Sequence, residues 1–265
     1  MKFMYKYTFS LLFVLVSFIG QAQETKVKAK AKANPVTTDS IKSKKDSVKP
    51  KTERYGLRVG IDLNKLSRSL YDKNYKGLEL VGDFKVTRKH YLAAEIGNEN
   101  KNVEDAHVNF TTKGTFLKAG FDYNTYENWF GMNNMIYVGM RYGVSAFSQT
   151  LNSYTVYNPN PYFGEEPTIV SGTKYDGLSA QWIEVIAGIK AEIIQNLYVG
   201  FSVRMNNLIT NKVPDNFDNL YIPGFNRTYG GKFGAGFNYT LSYFVPIFKT
   251  TLKPKEKVAE KKKKN

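Results

Sequence analysis

Cysteine is absent from the 265 residues, which excludes disulfides, thiolate catalysis and Cys-based metal sites. It also excludes a lipid-modified cysteine at an export cleavage site. Histidine is nearly absent: His90 and His107 fall in separate connections, so they neither share a site nor make a zinc centre. No Ser/His/carboxylate ordering stands out. No glycine pattern leads from a strand into a helix as phosphate-cradling loops do; Tyr229-Gly-Gly-Lys-Phe-Gly-Ala-Gly236 is strand glycine. No cofactor is implied. A spanning apolar helix is missing too, because the one short apolar run, Leu11 to Ile19, has no successor.

That run belongs to a targeting segment. Lys2 and Lys6 form a basic start, Leu11 to Ile19 the apolar core, and Gly20-Gln-Ala22 the small residues for cleavage. Residues 1–22 therefore read as a signal peptide, and any membrane residence after export must use strands.

The net charge of +15 resembles that of a nucleic-acid binder until it is mapped. Gln23 to Glu53 carries 9 Lys against 4 acids, and Lys249 to Asn265 carries 8 Lys against 2, whereas Arg54 to Phe248 has an excess of only +2. Both flanks have low complexity and no aromatic residue, too little apolar surface to offset ordering entropy. We read 23–53 as a disordered linker and 249–265 as a disordered tail. Such Lys-rich segments stay solvated and could meet anionic cell-wall or lipid groups; nucleic acid is not an expected partner.

What the chain has is alternation. Tyr55, Leu57, Val59, Ile61 and Leu63 alternate with Gly56, Arg58, Gly60, Asp62 and Asn64 over about ten residues, the dyad of a strand crossing a bilayer in a closed barrel. Seven more strands follow: Gly77 to Val86, Tyr91 to Glu99, Lys113 to Asn124, Met135 to Ser148, Tyr175 to Ile193, Leu197 to Asn206 and Tyr229 to Phe244. Nothing between them reads as a helix. Short connections (Thr87 to His90, Thr125 to Asn134, Ile194 to Asn196) alternate with long ones (Lys65 to Tyr75, Asn100 to Thr112, Gln149 to Lys174, Asn207 to Thr228). Outer-membrane barrels show that asymmetry, which would put both termini in the periplasm. Tyr and Phe, 19 and 18 in number, suit strands and membrane interfaces.

Alternation alone does not say which face is inside. A soluble lipocalin-like barrel or a sandwich would bury the apolar stripe. Two features favour the membrane. The polar face is rich in glycine (Gly56, Gly60, Gly120, Gly139, Gly143, Gly188, Gly200, Gly234, Gly236), which suits a narrow lumen better than a solvated strand. Its charges also mix signs: Arg58, Lys118, Arg141, Lys190, Arg204 and Lys232 against Asp62, Glu79, Asp83, Glu95, Asp122, Glu184 and Glu192. Neighbouring strands could pair them across the lumen, as buried charges require. The fold expected is all-β: an eight-stranded antiparallel up-and-down transmembrane barrel over 54–248. Its interior would be closed by its own side chains, so bulk conductance is not expected.

Tyr55-Gly-Leu-Arg-Val-Gly-Ile-Asp-Leu63, Tyr75-Lys-Gly-Leu-Glu-Leu-Val-Gly-Asp83, Ala93-Ala-Glu-Ile-Gly97, Lys118-Ala-Gly-Phe-Asp-Tyr-Asn124 and Phe147-Ser-Gln-Thr-Leu151 resemble an uncharacterised outer-membrane β-barrel family of Bacteroidota. The resemblance implies the fold and location and names no activity. Lys232-Phe-Gly-Ala-Gly-Phe-Asn-Tyr239 resembles the terminal-strand signal read by barrel-insertion machinery, although this strand runs on past Pro246 into the Lys-rich tail.

Candidate chemistry is confined to the connections. Glu104-Asp-Ala-His107 offers a carboxylate–imidazole couple like that of an outer-membrane protease. A solvated polar loop is the simpler reading, and the chain reads as a non-enzymatic barrel. The long connections hold Tyr154, Tyr157, Tyr162 and Phe163, then Phe217, Tyr221 and Phe225. These either contact a partner, as loops on rigid scaffolds do, or pack as a lid over the barrel mouth.

Overall fold

The computed structural model describes residues 52–126, 133–156, 162, 164, 167–214, 218–226 and 231–251. They form β1 (Thr52–Asp62), α1 (Leu63–Tyr71), β2 (Tyr75–Lys85), β3 (His90–Glu104), β4 (Val108–Asn124), β5 (Met135–Thr155), β6 (Thr168–Ile194), β7 (Leu197–Asn211) and β8 (Phe233–Thr251). Each strand pairs antiparallel with the next, and β8 returns to β1 to close the barrel. The first residues of β1 lie opposite the last of β8 (Thr52 beside Thr251), so the chain enters and leaves the barrel at one end. The expected signal peptide and most of both expected flanking segments lie outside the described residues. The sheet itself takes in Thr52, Glu53 and Lys249 to Thr251, which composition alone assigned to the flanks.

The two faces are inverted relative to a soluble protein. Leu92 and Ile96 are 58% and 56% exposed, while Glu95 between them is 5%. Leu57, Val59, Ile136, Val185, Ile189, Val203 and Phe237 all project outward, and Arg58, Glu79, Lys118, Asp122 and Glu184 are buried in the lumen. The strand period of two then carries this division around the whole ring.

Glycines make room for the charged side chains. Across the ladders Lys118 faces Gly143, Arg141 faces Gly120, Asp122 faces Gly139, Lys190 faces Gly200 and Arg204 faces Gly236. Pairing large against small is how a narrow barrel fits its interior. A Cβ at Gly56, Gly60, Gly120, Gly139 or Gly143 would run into the neighbouring strand or the side chain packed over it.

Two expectations need correction. The first concerns helix: α1 follows β1 directly. Asp62 caps it, its side chain accepting from the Asn64 N–H at 2.7 Å. Leu63, Leu66 and Leu70 then repeat at helical spacing on one stripe, with Lys65 and Arg68 on the other. Leu63 thus belongs to the helix and not to the outward face of β1. The second concerns the connections opposite the termini. Much of their length is strand: β3 and β4 are joined by only Asp105 to His107, and β5 and β6 pair as far as Thr155 and Thr168. Thr, Asn and Ser fill these extensions and hide them from a search for apolar alternation.

Gly120→Val should push a side chain against the Met140 carbonyl and cost at least the ~1–3 kcal/mol of ordinary overpacking. The check is the yield of heat-modifiable, folded protein on refolding into detergent. A yield equal to that of the parent would show that the tight approach is not needed.

Candidate functional site

Three layers fill the lumen. Nearest the termini, Tyr91, Met135, Tyr137 and Ile186 form a small cluster. The charges occupy the middle. At the far end Phe116, Phe147, Leu178, Ala180, Trp182, Leu208, Ile222 and Phe225 form an apolar cap.

Much of the middle layer is one connected network, with smaller groups beside it. Arg204 on β7 reaches both oxygens of Glu95 on β3 (2.5 and 3.0 Å) and Glu184 on β6 at 3.1 Å. Lys118 on β4 stands 3.1 Å from Glu184, 3.6 Å from Glu95 and 3.9 Å from Glu79. Arg141 pairs with Asp122 at 2.8 Å. Towards the termini, Asp83 lies between Arg58 (3.3 Å) and Lys190 (2.6 Å), and the Arg58 guanidinium stacks on the Tyr198 ring at 4.4 Å. Asp62 accepts from Asn238. Beside Arg58 a cavity of about 20 Å³ is lined by Asp83, Arg141, Lys190 and Arg204, enough for one water to serve atoms the pairs leave over.

Of the residues expected in the lumen, Arg58, Asp62, Glu79, Asp83, Glu95, Lys118, Asp122, Arg141, Glu184, Lys190 and Arg204 are brought together there. Glu192 sits at the rim near the termini, 3.6 Å from Arg54. Lys232 is not interior: it is an exposed turn residue, because β8 begins only at Phe233. The strand start expected at Tyr229 lies four residues before the first residue of β8.

Lys65 was missed. From α1 it enters the lumen, pairs with Glu79 at 3.0 Å and with Glu99, and lies over the Phe116 ring. Its position depends on α1, and the Asp62 cap with leucines at positions 63, 66 and 70 was the signal available. Trp182 was missed as well: its Nε1 donates to Glu184 at 2.7 Å, joining the apolar cap to the charges.

The aromatic connection before β8 folds inward. Ile222 and Phe225 are fully buried, and Phe225 meets Trp182 edge to face at 5.8 Å. The Tyr221 hydroxyl donates to Glu99 at 2.6 Å, and the Gly224 N–H points to the same oxygen at 3.3 Å. Gln149 donates to the Asp218 carbonyl at 2.8 Å. Gly224 and Asn226 have positive φ (82° and 75°), which lets the segment turn sharply enough to enter the barrel. Tyr221 and Phe225 are therefore parts of a plug and not exposed contacts, since apolar rings find a dry seat on the Phe116–Trp182 cluster. Tyr154 and Tyr162 remain on the surface, whereas Tyr157, Phe163 and Phe217 lie outside the described residues.

The histidines are at opposite ends of the barrel. His90 pairs with Thr87 in a short turn on the terminal side, and His107 occupies the exposed β3–β4 turn beside Glu104 and Asp105. Among the described residues no three potential ligands cluster as a metal site would require. At the outer rim, burial alone would raise the Asp72 carboxyl, but hydrogen bonds from Lys101, the Asn74 N–H and Arg68 outweigh it and hold the group below the usual carboxylate range.

The chain belongs to the DUF6048 family, a domain of unknown function, matched over residues 4–250. No curated protein matches it. Among solved structures, Ail, the attachment invasion locus protein of Yersinia pestis, is similar at 11% identity and a TM-score of 0.37, over 72% of this chain and 98% of that one. CarO2 of Acinetobacter baumannii is similar at 11% identity and a TM-score of 0.33, over 73% of this chain and 99% of that one.

Arg204→Met should take from Glu95 and Glu184 one of the two cations they share, leaving only Lys118 between them. Breaking a buried pair in this way costs ~3–5 kcal/mol. Urea unfolding of the bilayer-reconstituted barrel should show a correspondingly lower midpoint; an unchanged midpoint would remove Arg204 from the centre of the network.

Proposed function

We propose that this DUF6048 protein is a non-enzymatic outer-membrane barrel that serves envelope structure or surface interaction through its external hairpins. The observation that carries the reading is the inversion of faces. An apolar band exposed around a closed sheet is stable in acyl chains and costly in water, while the charges it encloses have partners only in the lumen. A soluble lipocalin-like barrel would need the opposite arrangement. Closure also suits a bilayer, where an open sheet edge has no water to bond.

With the termini at the end of the short turns, the reading places them in the periplasm and the long β5–β6 hairpin outside the cell. The Lys-rich flanks then face periplasmic anionic groups, and Lys232 to Tyr239 is the segment offered to insertion machinery. The filled lumen favours a structural or binding role over a pore. The exposed Tyr154, Tyr162 and Val170 on the β5–β6 hairpin are the surface it would present.

Two measurements test this. The exported protein should fractionate with the outer membrane, resist detergent until boiled and carry no steady current across planar bilayers; recovery in the soluble fraction would refute the location. Replacing residues 156–167 with a short turn should leave the barrel folded and remove a cell-surface contact. If surface cross-linking profiles are unchanged, the hairpin is not the interaction surface.

A further inference from the structure

The barrel wall is incomplete on one side. The β1–β8 ladder ends at Asp62–Thr240, whereas β8 continues against β7 as far as Phe233. Among the described residues, no strand covers the other side of β8 from Phe233 to Tyr239. Helix α1 stands there instead, and Asn64 Nδ2 donates to the Phe237 carbonyl at 3.1 Å across the seam. The seam opens into a crevice of about 1000 Å³.

One wall of the crevice is made of outward residues of the apolar band: Phe201, Val203, Ala235, Phe237 and Tyr239. Its inner end passes Asn64, Asn226 and Gly236, which also line a chamber of about 40 Å³ beside Lys118 and Arg204. Its rim carries both signs of charge, Arg68 and Lys101, which share Asp72 between them, against Glu104 and Asp105. Gly236, although it faces Arg204 across the ladder, is less tightly enclosed than Gly120, Gly139 or Gly143. Among the described residues, a Cβ there would meet only Asn226 Nδ2, at 3.8 Å.

We propose that this notch is a lateral lipid site, seating one acyl chain of a glycerophospholipid whose headgroup carries both a phosphate and an amine. The chain lies along Phe201, Val203 and Phe237 and turns in past Gly236. The phosphate meets Arg68 and Lys101, and the ammonium meets Glu104 and Asp105. The occupant follows from continuity: the crevice is open to the surface that touches acyl chains, and its outer wall is apolar between the charged rim and the two asparagines at its inner end. Polar headgroup atoms beside the seam also give the uncovered β8 backbone hydrogen-bond partners that hydrocarbon lacks. This inference rests on the membrane reading above.

The test is photocross-linking of the full chain in bilayers with a phosphatidylethanolamine bearing a diazirine on one acyl chain, read by peptide mass spectrometry. Adducts on Asn64 and Asn226 as well as on the outer wall at Val185 are expected. Adducts on Val185 without the two asparagines would overturn the lipid site and leave the membrane reading intact; no adduct at Val185 would overturn the membrane reading itself. Gly236→Leu should abolish the asparagine adducts and keep those at Val185, which also reports that the variant has folded; persistence of the asparagine adducts would refute the route. The same probe on phosphatidylglycerol should give fewer asparagine adducts, and equal labelling would refute the proposed headgroup.

Discussion

Every charge in the lumen must find its partner on another strand, because the bore is filled by side chains and leaves little room for water. Burying a lone carboxylate or guanidinium is too costly for the fold to tolerate. Lys118 and Arg204 answer this by sharing Glu95 and Glu184 across four strands. The network ties closure to register. A one-residue slip would turn Lys118 or Glu184 outward into the apolar band and leave its partners unpaired inside. Even where the ion pairs add little to net stability, they select one ring out of many possible pairings.

The same constraint accounts for the glycines. A long cation that crosses the bore needs space at the foot of the facing strand, and Gly143, Gly120 and Gly200 provide it opposite Lys118, Arg141 and Lys190. The departures from the ring follow a related logic at the end remote from the termini. There α1 takes the place of β1 in the wall and sends Lys65 into the lumen. The segment ending in Phe225 drops onto Trp182 and bonds Glu99 through Tyr221. The apolar plug and the charged layer meet at Trp182, whose ring belongs to the first and whose N–H belongs to the second.

A barrel packed this way has little capacity for transport along its axis. Whatever it does is more naturally done at its surfaces: the protruding hairpins, the apolar band, and the one place where the band is interrupted beside α1.

Eight strands, their outward and inward faces and eleven lumen charges were legible in the amino-acid order, because a period of two is a local property and the outward positions repeat it strand by strand from Leu57 to Tyr239, Leu63 excepted. The polar ends of the strands were not, since Thr111, Asn152 and Thr173 extend the sheet above any apolar signal. Lys65 entered the lumen only because a capped helix rotated it there. Tyr221 and Phe225 could be read from the sequence either as partner contacts or as a lid, and only the formed barrel mouth decided between them. Local sequence periodicity decided the wall of this protein; long-range packing decided its plug and its gap, because both depend on surfaces that form only when the ring is closed.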